Sequence, residues 1–141
     1  MRTIENVVSD PFPNELEMYT KNGLKGLVAL CGMREHQSGW RVDPVTKQLL
    51  DVNKEFGIKV ALIHSEISEA LEGHRKNKMD DHLPHRKAVE VEFADTIIRI
   101  AALAQWMGLD IAGAVMEKLA YNQKRADHKL ENRALDNGKK F

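Results

Sequence analysis

The chain has 141 residues, with 21 Lys and Arg balanced by 21 Asp and Glu, so its formal net charge is zero. That length suits a single compact domain with a real core, and the balance gives no electrostatic case for nucleic acid or an anionic membrane as partner. The one cysteine, Cys31, excludes an internal disulfide and suits a reducing, cytoplasmic setting. Residues 1–10 show no apolar core followed by a cleavage site, and the longest uncharged run, Ile100 to Leu109, is about half of the roughly 20 residues a membrane helix needs. A soluble protein is expected. Glycine and proline are few, aromatics are sparse, and Ala, Leu, Glu and Lys are plentiful, which points to an all-α fold.

Taken in order, residues 1–13 read as irregular because Pro11 and Pro13 interrupt any helix, and Asn14 is an N-cap candidate before Glu15. From Leu16 to about Gln37, the spacing of Leu24, Leu27, Val28 and Cys31 marks one helical face, although Gly23, Gly26 and Gly32 weaken it. Cys31 on that face is expected in the core. QSGWRVDP (37–44) reads as a loop, with Trp40 covering the core in preference to stacking on a base. Asp43-Pro44 is a helix-start signal, and Val45, Leu49, Val52 and Phe56 then form a stripe that opens either a short helix or the next long one.

The second long helix is predicted from about Lys54 to Arg75, with Val60, Ile63, Ile67 and Leu71 as its apolar stripe. Glu66 and Glu69 interrupt the apolar arc and are drawn toward the core, whereas Glu72 lies on the polar side. A charged connection, 73–86, ends near Pro84. The third helix, about His85 to Met107 and closed by Gly108, is apolar nearly all round, as a central helix would be. Glu92, Asp95 and Arg99 break it along one line. Asp110 caps a fourth helix from about Ile111 to Lys129, in which Ile111, Val115 and Leu119 face inward and Lys118, Asn122 and Arg125 line up beside them. The tail from Glu131 to Phe141 is expected to be loose, its Lys139 and Lys140 serving solubility.

Glu66 and Glu69, and again Glu92 and Asp95, are carboxylates three residues apart, hence neighbours on a helix face. Should the two helices pack together, four acids meet, and clustered acids repel one another unless cations sit among them. Oxygen-only ligands favour Mg²⁺, with Mn²⁺ as a substitute, and such an ion holds phosphates and activates water. Lys118, Asn122 and Arg125 would add a cation, an amide and a guanidinium fork for phosphates. Spacing by itself leaves a solvated acidic face equally open; the second pair is the better evidence, because it interrupts apolar surface.

The halves Ser65-Glu66-Ile67-Ser68-Glu69 and Glu92-Phe93-Ala94-Asp95, with LIHSEISEALE around the first and KLAYNQKR downstream, resemble the EExxE–spacer–ExxD signature of the MazG-like all-α nucleoside triphosphate pyrophosphatase superfamily. The similarity covers about residues 39–125 of one domain, 1–141. It implies a four-helix-bundle-like fold, metal ligation by Glu66, Glu69, Glu92 and Asp95, substrate contacts from Lys118, Asn122 and Arg125, and conversion of a nucleoside triphosphate to monophosphate and pyrophosphate. It also implies dimers or tetramers. Ser65 departs from the signature by standing where its first Glu belongs, which leaves the water-activating base unassigned. Arg99 is read as pairing with Asp95 or Glu92. His36 and His64 read as surface residues, His82 and His85 as loop residues, and Arg75 and Lys76 as solvent-facing. A di-iron bundle is disfavoured because no Glu is followed three residues later by His. A nucleotide-binding module without turnover and a phosphoribosyl-ATP pyrophosphohydrolase activity are the remaining rivals.

Overall fold

A computed structural model describes residues 14–139; the irregular reading of 1–13 and the tail call at Lys140 and Phe141 fall outside them. Among the described residues the fold is all-α. Four long helices, α1 (Asn14–Gln37), α2 (Val52–Arg75), α3 (Ala88–Met107) and α4 (Ile111–Lys124), are followed by a 3-10 turn at Ala126–His128 and the short α5 (Leu130–Arg133). No strand is present among the described residues, only isolated antiparallel bridges at Val42–Leu49 and Met79–Lys87. No single helix there is long and apolar enough to cross a membrane. Packing divides the described residues into two units, 26–109 and 14–25 with 110–139.

The helix limits have local causes. Asp51 caps α2, its carboxylate accepting from the Asn53 N–H at 2.9 Å. α2 therefore starts at Val52, so that Val52 and Phe56 of the predicted stripe are helical and Val45 and Leu49 are not. Asp43 does not open a helix either. Its carboxylate accepts from the Val45 and Thr46 N–H groups at 2.9 and 2.6 Å, closing a turn in which Lys47 takes a left-handed φ of 61°. The third helix begins at Ala88 rather than His85, because Ala88 N–H is still bonded to Lys78 O and Glu90 reaches back to the Lys87 N–H. Gly108, at φ 70°, closes α3 as expected. Asp110 caps α4 by accepting from Gly113 N–H at 2.9 Å. α4 stops at Lys124, five residues short of the predicted end: Arg125 turns to extended backbone, and its fork bonds both oxygens of Asp127.

In the unit Gly26–Leu109, α2 and α3 pack along each other. Gly73 meets Ala88 and Glu66 meets Arg99, so the two helices run antiparallel. Small residues set their spacing. Ala70, Gly73 and Ala88 are buried at the seam, and a Cβ on Gly73 would lie 2.9 Å from that of Ala88. α1 closes on α3 through Cys31, Leu27 and Val28 against Ala101 and Ala102, which puts Cys31 in the core as read from its face.

A polar network that the sequence does not announce locks this unit. Glu35 on α1 accepts from Arg41 Nε at 3.1 Å and from Lys59 Nζ on α2 at 2.7 Å. Arg41, 8% exposed, also donates to the Ala102 carbonyl at 3.3 Å. Both cations sit over the Trp106 ring, at 5.2 and 5.5 Å from its centroid. Trp40, in contrast, is 68% exposed and does not cover the core; the ring placed against the unit is Trp106.

Cutting Arg41 from this network leaves Glu35 short of a partner in a buried setting. Arg41→Met should cost about 2–4 kcal/mol, read from urea unfolding midpoints; a loss below about 0.5 kcal/mol would mean the network adds nothing beyond packing.

Candidate metal centre

Glu66 projects into the seam from α2 because its turn neighbours Ala70 and Gly73 let α3 approach, and it is only 7% exposed. Glu69, one turn on, stays exposed at the rim, so of the two acids expected to be drawn inward only the first is. From α3 come Glu92 and Asp95, both half-buried. One carboxylate oxygen each from Glu66, Glu69 and Glu92 lies within 4.8 Å of the others. Asp95 stands outside that triplet but feels its field. Its carboxyl is raised by burial and by the charge of Glu66, partly offset by Arg99.

Three ionised carboxylates so close would repel by roughly 3 kcal/mol per pair at an effective dielectric near 20. The site meets this in two ways. Arg99 donates from Nε to Glu66 Oε1 at 2.6 Å across the seam; the sequence reading paired it with Asp95 or Glu92 on its own helix, but Glu66 is the deeper acid and takes the cation. The Glu92 carboxyl, for its part, holds its proton to higher pH than an ordinary glutamate does. Burial first, then the hydrogen bond to Glu66 and the charges of Glu69, Glu66 and Asp95, push its carboxyl up to about 7. Ser65, in place of the signature's first Glu, donates from Oγ to Glu69 Oε1 at 3.2 Å, so it orients a carboxylate and adds no charge.

The set fits a hard divalent cation on its chemistry. All donors are carboxylate oxygens, converging from two helices at a separation that one ion can bridge. Other candidates fall away. His82 and His85 are in an exposed loop, His36 and His64 are exposed, and Arg75 and Lys76 pair with Glu72.

The basic residues belong to the other unit. There, Lys118 Nζ lies 4.7 Å and the Arg125 guanidinium 5.9 Å from the centre of the Tyr121 ring. Arg125 is already engaged by Asp127, whose carboxyl that bond holds below the usual range. Asn122 Oδ1 is buried with no hydrogen-bond donor among the described residues. Tyr121, Lys124, Arg125, Ala126 and Asp127 line an open groove of about 460 Å³. The sequence reading missed Tyr121; its place between Lys118 and Arg125 at helical spacing was the available signal.

Comparison with known proteins returns no family model, no curated protein and no solved structure that matches the chain.

An unfolded glutamate loses its proton near pH 4.5, whereas native Glu92 keeps it to about 7, so between these values the folded state holds the extra proton and stability falls as pH rises. In EDTA, the thermal midpoint should therefore decline from about pH 5 to about pH 7.5, and Glu92→Gln should flatten that slope. A wild-type midpoint independent of pH over this range would show that the acids do not share a buried environment.

Proposed function

We propose that this protein is a Mg²⁺-dependent nucleoside triphosphate pyrophosphohydrolase of the MazG-like kind, releasing monophosphate and pyrophosphate from (d)NTP. The observation that supports this reading is the convergence of Glu66, Glu69 and Glu92 from the two halves of the sequence motif into one gap. Glu66, Glu69, Glu92 and Asp95 would hold the ion, and Mn²⁺ has the same ligand preferences. Bound there, Mg²⁺ would supply charge neutralisation for a triphosphate and for the departing pyrophosphate.

The chain's own contribution is positional. Monophosphate and pyrophosphate as products mean that a water oxygen bonds to the α-phosphorus while the bridge to the β-phosphorus breaks, and the electron pair leaves with pyrophosphate. Glu69, oriented by the Ser65 hydroxyl and open to solvent, is the carboxylate best disposed to align that water. Lys118, Asn122 and Arg125 are proposed as substrate residues on the motif resemblance; the open groove lined by Tyr121, Lys124 and Arg125 is compatible with a polar ligand.

Self-association into a dimer or tetramer belongs to the same proposal. Phe56, Ile67 and Leu71 of α2 and Phe93, Ile97 and Ile100 of α3 are each between 40% and 62% exposed. On each helix the three fall within an arc of about 60° at 100° per residue. In an antiparallel pair the two arcs lie on the same flank of the seam, opposite the flank toward which Glu69 and Asp95 lean. Roughly half of the 150–250 Å² that a large side chain can bury is still open at each position. Two copies meeting face to face would cover on the order of 1,200 Å², enough for a specific interface.

Purified protein given each nucleoside triphosphate should release pyrophosphate and monophosphate only with Mg²⁺, and Glu69→Ala or Asp95→Ala should lower the rate at least about 100-fold. Nucleotide binding without turnover, or orthophosphate as sole product, would overturn the assignment. In light scattering, wild type should be a dimer or larger, and Ile97→Lys should shift it toward monomer. A monomeric wild type would refute the shared face.

A further inference from the structure

Glu66 is a nearly buried carboxylate close to Glu69 and Glu92, and its contact with Arg99, at 2.6 Å, is the one ion pair among the described residues that ends on the acidic group. Arg99 comes from the same line of α3 as Glu92 and Asp95, two turns on from Glu92, and reaches across to the buried Glu66 while its own side chain stays 41% exposed. Its Nε donates to one oxygen of Glu66, Oε1. A buried acid that loses its cation is costly, whereas a replacement cation removes the cost.

We infer that Arg99 is a resident counter-cation of the α2–α3 seam: it keeps the acidic group folded when no divalent ion is present and does, in part, the electrostatic work that such an ion would do. The inference rests on the reading of these acids as a cation site, and it assigns Arg99 a positioning role rather than contact with substrate. It has a definite sign. Two cations serving the same carboxylates oppose each other, so removing Arg99 should make the fold depend on the ion and make the ion's stabilisation larger. An arginine that served only packing would produce the same loss with or without metal.

The test is thermal unfolding of the full chain in EDTA and in excess Mg²⁺. Arg99→Met should lower the midpoint by about 5 °C or more in EDTA and recover most of that loss in Mg²⁺, so that its Mg²⁺-induced shift exceeds the wild-type shift. Arg99→Lys, which keeps the charge, should stay near wild type in EDTA. Adding Glu66→Gln to Arg99→Met removes the unpaired acid and should restore the EDTA midpoint, which keeps the test open if the single variant folds poorly. Equal losses in both buffers, or no rescue by the double variant, would overturn the inference. Wild type that shows no shift and takes up no Mg²⁺ by calorimetry would instead refute the cation site, while the EDTA comparison of Arg99→Met, Arg99→Lys and the double variant would still report on the ion pair.

Discussion

The burial of Glu66 between two helices is the constraint from which the rest of the Gly26–Leu109 unit follows. A carboxylate so enclosed is tolerated only where something compensates its charge, and here Arg99 supplies a cation while burial and the neighbouring acids raise the Glu92 carboxyl. The geometry depends in turn on small side chains. With anything larger than glycine at 73 facing Ala88, the seam would open and the acids would part. The packing of the helices and the chemistry of the acids are thus one problem, solved by the same few residues.

The centre is under electrostatic tension and the remainder of the unit is built to bear it. Glu35, Arg41, Lys59 and Trp106 tie α1, the loop after it, α2 and α3 through partly desolvated charge contacts. Two charged groups thus meet a third between them, with a π face covering both cations. That arrangement fixes helix positions at one end of the hairpin while the acids repel one another toward the other. A core made mostly of alanines, with Cys31 and Leu103 and no large side chain fully enclosed, needs such ties more than a Leu-rich core would.

The basic residues stand in a different physical situation. Around Tyr121, Lys118 and Arg125 use the ring's face, and Arg125 spends its fork on Asp127, the contact that also ends α4. A guanidinium committed in this way meets a phosphate only by exchanging one anion for another, whereas Lys118 is held by a weaker cation–π contact and gives it up more readily. Of these two cations, Lys118 is therefore the freer.

Periodicity and caps in the sequence determined the all-α class, the span of α1, the ends of α2 and α3 at Arg75 and Gly108, the capping by Asp110 and the placing of Cys31, because these depend on neighbours within a few residues. The two acid pairs were legible for the same reason: each is a local spacing on one helix. What the tertiary structure alone decided were matters of distance across the fold. Arg99 chose the acid of the facing helix over those of its own, Glu69 stayed at the rim while Glu66 went in, and Trp106 rather than Trp40 took the sheltered place. The Asp43 turn and the early end of α4 belong here too, since a side-chain carboxylate outcompeted the helical pattern in each. Charge partners and burial are properties of approach between segments, and no spacing along a chain encodes which segments approach.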